Sequence, residues 1–132
     1  MADLTQELIS INQKLLDSIV SADWKTYESL CDDSITCFEA EARGQLATGM
    51  AFHKYYFDLP AGDKPAAKKL VTMASPHVRM LGSDAAVLSY VRLTQSLDAA
   101  GAPQTSKFEE TRVWQKIGGA WKHVHFHRSA NG

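Results

Sequence analysis

From residue 70 to residue 128 the chain reads as four β-like runs, 70–81, 84–98, 106–117 and 120–128, with brief interruptions. Alternation of period two sends successive side chains to opposite faces of a strand. Gly82-Ser83 separates the first two runs and Gly118-Gly119 the last two, both signals of tight hairpins. The stretch from Ala99 to Gln104 is a wider connection. Runs joined this way form an antiparallel meander, and a sheet with one apolar face must bury it against another layer.

That layer precedes the sheet. Residues 3–22 carry Leu4, Leu8, Ile11, Leu15 and Ile19 at spacings of three and four. This is the stripe of a helix of about five turns. Gln6, Asn12, Gln13 and Asp17 are assigned to its opposite side, and Asp3 and Thr5 to its N-terminal cap. Asp23 is expected to cap a second, short helix bearing Trp24, Tyr27 and Leu30. Residues 34–40 read as a short strand, Gly44 and Gly49 bracket a turn, and MAFHKYYF forms a third helix. Residues 58–69, with Pro60, Gly62, Pro65 and three lysines, read as a solvated loop. The expected class is α+β, with a sheet curled around the long N-terminal helix.

Bulk properties narrow the partners. At 132 residues, one domain over 1–132 is expected. Fourteen basic against fifteen acidic residues leave a net charge of −1, which argues against a nucleic-acid partner. No apolar run reaches the ~18–20 residues that cross a membrane, so no membrane partner is expected. The opening MADLTQELIS has no secretory pattern. Cys31 and Cys37 match no common zinc or redox spacing. Reduced thiols and a cytoplasmic location follow, and no cofactor is implied.

Alternation also sorts the arginines. Arg92 shares a face with Ala86, Leu88 and Tyr90; Arg112 with Glu110 and Trp114; Arg128 with Val124 and Phe126. If these faces line one concavity, three guanidinium groups converge. Charges ~6 Å apart at an effective dielectric of ~20 repel by about 3 kcal/mol a pair. Three pairs cost on the order of 8 kcal/mol, comparable with the whole stability of a domain. Either a carboxylate among Glu39, Glu41, Glu109 and Glu110 neutralises them, or the concavity holds an anion. In the second case, removing Arg112 or Arg128 would relieve repulsion and stabilise the empty protein.

The histidines of "HVHFHRS" present a rival centre. His123, His125 and His127 would share the outer face, opposite Arg128. Residues two apart on a strand are ~6.5–7 Å apart, so His123 and His127 stand ~13 Å apart. One ion with Zn–N bonds of ~2.0–2.1 Å cannot bridge them, and no metal site is expected.

"FHKYYF", "SPHV", "YVRLTQ", "EETRVW" and "HVHFHRS", in this order, closely resemble the association (hub) domain of calcium/calmodulin-dependent protein kinase II. The resemblance runs from the first helix to Ser129. It implies a nuclear-transport-factor-two-like, cystatin-like cone: a curved antiparallel sheet wrapped around the long helix. It implies a non-catalytic, self-associating scaffold that forms a large homo-oligomer of two stacked rings and can join kinase-bearing chains with the same hub. It also implies a basic pocket for small carboxylates, carried here by Arg92, Arg112 and Arg128, with His53 of "FHKYYF" matching the family's pocket histidine and expected near the mouth; Tyr90, on the face of Arg92 by alternation, is added as a hydrogen-bond donor. The alternative is a small cone-fold enzyme, an isomerase or dehydratase acting on an anionic substrate, for which His53 is the base available near neutral pH.

Overall fold

The structure is a computed structural model that describes residues 4–38, 45–58 and 69–130. Its elements are α1 (Leu4–Val20), α2 (Trp24–Leu30), β1 (Cys31–Phe38), β2 (Ala47–Thr48), α3 (Met50–Asp58), β3 (Leu70–Met80), β4 (Ala85–Leu97), β5 (Pro103–Ile117) and β6 (Ala120–Ala130). The strands form one six-stranded sheet in the order β2-β1-β6-β5-β4-β3. The α+β class and the helix-then-meander order match the sequence reading. Asp3, Glu39, Glu41, Gly44 and most of the 58–69 loop lie outside the described residues.

Asp23 caps α2 as expected. One of its carboxylate oxygens accepts from the Thr26 backbone N–H at 3.2 Å and the other from the Thr26 hydroxyl at 2.7 Å. The chain then becomes extended at Cys31 (φ −102°, ψ 147°), so β1 starts three residues before the expected 34. β1 pairs parallel to β6, with Cys37 opposite Phe126, and antiparallel to the short β2. Strand patterning reveals neither pairing: β2 is two residues long, and β6 lies far down the chain, beyond α3 and the meander.

The meander holds two departures from regular alternation. In β3 the register with β4 slips between Ala74 and His77, where Ser75 takes φ 51° and Pro76 follows. Proline cannot donate to a ladder, and β3 is a sheet edge, where that defect is tolerated. In β6, Val113 pairs with His125 but Trp114 pairs with His123, so Val124 is an extra residue. This β-bulge reverses the facing of everything before it.

The Gly118-Gly119 hairpin has φ 60° and 83°, the double positive φ that a two-residue I′ turn requires. The Gly82-Ser83 connection is wider than a two-residue turn: Leu81 N–H bonds the Ala85 carbonyl at 2.8 Å and four residues separate the strands.

α1 supplies the cover. Leu8, Leu15 and Leu16 are fully buried together with Ile35, Cys37, Leu88 and Trp114 of the sheet. Asn12, assigned from sequence to the polar side, is also fully buried. Positions 8, 12, 15 and 16 follow helical spacing, so Asn12 lies within the apolar stripe.

Candidate functional site

The inner face of the meander is built row by row. Tyr90, Glu110 and Arg128 stand opposite one another across β4, β5 and β6; Leu88, Arg112 and Phe126 form the next row. Arg92 follows Tyr90 by two residues and points to the same side.

Glu110 is the hub of a buried network. One of its oxygens accepts from the Tyr90 hydroxyl at 2.6 Å, from Arg112 Nε at 3.2 Å and from Arg112 Nη2 at 3.1 Å. The other accepts from Arg92 Nη1 at 3.2 Å. The Tyr90 oxygen accepts from Arg112 Nε at 2.9 Å and from Asn12 Nδ2 at 3.0 Å. Asn12 Oδ1 in turn accepts from the indole N–H of Trp114 at 3.0 Å. Arg112 Nη1 lies 3.3 Å from His123 Nε2, and its guanidinium covers the Phe126 ring at 4.3 Å. The chain of contacts ends where His123 Nδ1 meets Cys31 Sγ at 3.5 Å.

Charge states follow from these contacts. Burial alone would push the Glu110 carboxyl up, but Arg112 and Arg92 beside it hold it below its usual value. Burial opposes the Arg112 charge, yet Glu110 more than compensates and the guanidinium stays protonated. Tyr90 is pushed up to about 12, first by burial, with the Arg112 charge opposing and the Glu110 charge adding. His53 falls to about 4 through burial and the Arg112 charge, and the same causes take His123 well below its ordinary value. At neutral pH both imidazoles are neutral, and Arg92, Arg112 and Glu110 together carry one net positive charge.

The structure brings together Arg92, Arg112 and Tyr90 of the expected site residues, all at Glu110. Arg128 occupies the same row, with its guanidinium 5.0 Å over the Phe108 ring. His53 is not at a mouth: at 5% exposure it is embedded in the wall. Its Nδ1 lies 2.7 Å from the Tyr27 hydroxyl and its Nε2 3.7 Å from Cys37 Sγ. It reaches the arginines through Phe126, which it meets edge-on at 5.5 Å. Of the two candidate glutamates among the described residues, Glu110 pairs with Arg92 and Arg112, and Glu109 is exposed. With Glu110 bonded to Arg112 at two nitrogens, the expected effect of removing Arg112 reverses sign: an ion pair breaks, and no repulsion is relieved.

The histidine row is also corrected. The bulge at Val124 turns His123 inward, fully buried, while His125 and His127 remain on the outer side against Phe38. His125 Nδ1 lies 2.7 Å from the Thr36 hydroxyl. Among the described residues, no three His, Cys, Asp or Glu side chains are grouped to hold a metal ion. An open cavity of about 440 Å³ runs along the same strands, lined by His77, Ser89, Glu109, Thr111 and His127 and touching Tyr90 and Glu110. None of the three arginines lines it.

Asn12, Trp114 and His123 join the network without having been singled out for it. The helical spacing of Asn12 was a usable signal, and Trp114 shares the face of Arg112 by simple alternation. The inward turn of His123 has no signal in a single strand, because a bulge is defined by its partner.

Comparison with known proteins places this geometry. The sequence profile of the calcium/calmodulin dependent protein kinase II association domain matches residues 4–132. The delta subunit of calcium/calmodulin-dependent protein kinase type II from Oryctolagus cuniculus is 43% identical over 128 residues, covering 96% of this chain and 24% of that protein. The chain thus spans about a quarter of the length of that relative. The hub homology domain from Chlamydomonas reinhardtii superposes with a TM-score of 0.93 at 50% identity, covering 98% of this chain and 100% of that one. A nuclear transport factor 2-like protein from Salmonella enterica, 22% identical, superposes with a TM-score of 0.75 over 96% of this chain and 90% of its own, which shows the shared fold. Among the described residues no helix is long and apolar enough to cross a membrane. A match across nearly the whole chain, on a helix-covered curved sheet of this topology, means that the chain belongs to the calcium/calmodulin-dependent protein kinase II association-domain family.

Proposed function

We propose that residues 1–132 act as one association domain that closes with copies of itself into a large homo-oligomer of stacked rings. Each subunit would carry an arginine-lined site for small carboxylates, built from Arg92, Arg112 and Arg128 with Tyr90 as donor and His53 behind Phe126. The observation that carries this reading is the family match over residues 4–132. The sheet supports it. Val87 and Val91 of β4 and Val113 of β5 point away from buried Trp114 and stay only partly covered in the single chain. Closed symmetry would cover such surface in every copy. Kinase-bearing chains with the same domain could enter the ring through the same contacts.

The charge states favour binding over turnover. Glu110, clamped by two guanidinium groups, is a poor proton acceptor. His53, lowered to about 4, is one as well. A base poised near neutral pH, which an isomerase of this fold would use, is not supplied by either.

The test is a light-scattering mass at micromolar protein. The expected value is a multiple of the 14.6 kDa chain far above a trimer. A mass of one to three subunits would overturn the assembly reading.

A further inference from the structure

We infer that Glu110 is an internal stand-in for the ligand: its carboxylate occupies the Arg92–Arg112 fork in the empty protein, and a small monocarboxylate binds by displacing it. The inference rests on the carboxylate-site reading above and adds which group the ligand competes with. Both oxygens of Glu110 are engaged, one by Arg92 at 3.2 Å and the other by Arg112 at 3.1 and 3.2 Å. The Tyr90 hydroxyl completes the cradle at 2.6 Å. This donor set is what an external carboxylate would need: two guanidinium groups and a phenol facing one anion.

The fork is also unsaturated. One carboxylate serves two cations, and Arg92 Nε is buried with no hydrogen-bond partner among the described residues, although Arg92 is only 7% exposed. Buried donors are nearly always satisfied, so an unmet one beside an anion cradle points to a ligand. The Glu110 backbone is held on both sides, opposite Tyr90 on β4 and Arg128 on β5's other neighbour, β6. Arg128, directly across the register, offers a guanidinium to receive the displaced carboxylate. The exchange makes and breaks no covalent bond and moves no proton: the ligand anion pairs with Arg92 and Arg112 while the Glu110 anion pairs with Arg128.

Acetate is the natural probe, because the atoms lost in Glu110→Ala are those of an acetate ion. Wild type, Glu110→Gln, Glu110→Ala and the outer-face control Glu109→Gln are melted against sodium acetate. Acetamide and sodium chloride at matched ionic strength serve as controls, and light scattering confirms the assembly of each variant. Glu110→Ala should melt below wild type and recover with acetate but not with acetamide or chloride. Glu110→Gln, which removes the competing charge, should bind acetate on the order of tenfold tighter than wild type. Glu109→Gln should behave as wild type. A response confined to the two Glu110 variants would overturn the displacement, since acetate would then enter the fork only once Glu110 is gone. If Glu110→Ala does not fold, the Glu110→Gln comparison decides. Equal acetate dependence in wild type and both Glu110 variants leaves the carboxylate site standing and overturns the stand-in. No response to acetate beyond the controls in any protein overturns both.

Discussion

Glu109 and Glu110 are adjacent in sequence, yet one is exposed and the other is 3% exposed and bonded to two arginines. A milder form of the contrast separates half-buried Ser89 from buried Tyr90 and half-buried Thr111 from buried Arg112. The two faces of three strands therefore run under different rules. On the inner face α1 excludes water, so each charge must find a partner and acid–base values move far from ordinary. On the outer face of the single chain, solvent can satisfy the same groups. A residue's type sets what it can do; the layer it faces decides what removing it costs.

The sharpest way to break that contrast is Arg112→Met against Thr111→Val. Removing Arg112 leaves Glu110 with Arg92 as its one ionic partner among the described residues, inside the core. The expected loss is about 3–5 kcal/mol, as for other broken buried pairs. Thr111→Val should stay within about 0.5 kcal/mol. Urea unfolding at fixed protein concentration measures both, since assembly and stability are linked. An Arg112→Met protein as stable as wild type would show that the inner charges do not support one another.

The second comparison uses pH. Folded His53 is lowered to about 4 from 6.5, so the folded state binds fewer protons than the unfolded one between those values. Its contribution is complete above about pH 6.5 and is lost as pH falls toward 4, by up to about 3 kcal/mol. His53→Asn should flatten the acid limb of stability against pH. His125→Asn, at a partly exposed outer-face position where burial also lowers the imidazole, should flatten it less. Identical acid limbs in wild type and His53→Asn would mean that His53 is not held neutral by its surroundings.

The smallest effect sharpens the same point at one oxygen atom. Tyr90→Phe removes a hydroxyl that donates to Glu110 and accepts from Arg112 and Asn12. The expected cost is about 1–3 kcal/mol. Ser89→Ala, one residue away, should be near neutral. Thermal melting of the pair decides it, and equal shifts would erase the distinction between the faces at this position.

Much of this was legible beforehand. Alternation grouped Arg92 with Tyr90 and Arg112 with Trp114, and the unbroken β4–β5 register from Ala85 to Leu97 puts the two groups on one side. The charge argument required either a carboxylate among the three arginines, with Glu110 among its candidates, or a bound anion. What escaped was everything that needed a second element. The β1–β6 parallel pairing joins strands separated by α3 and the meander. The burial of His53 depends on Tyr27 of α2 and Phe126 of β6 meeting it from two sides.

The sequence by itself determined the class, the order of elements, the family and the face of each arginine. All of these follow from periodicity and motifs that local chain geometry enforces. Tertiary structure decided which charges meet. The extra residue at Val124 is a bulge only because β5 has no matching one, and that single mismatch carries His123 into the core beside Arg112. Asn12 is a core residue only because Tyr90 and Trp114 satisfy its amide across 78 and 102 positions of chain. A buried polar group is stable only where distant partners complete its hydrogen bonds, and only the packed fold brings those partners within reach.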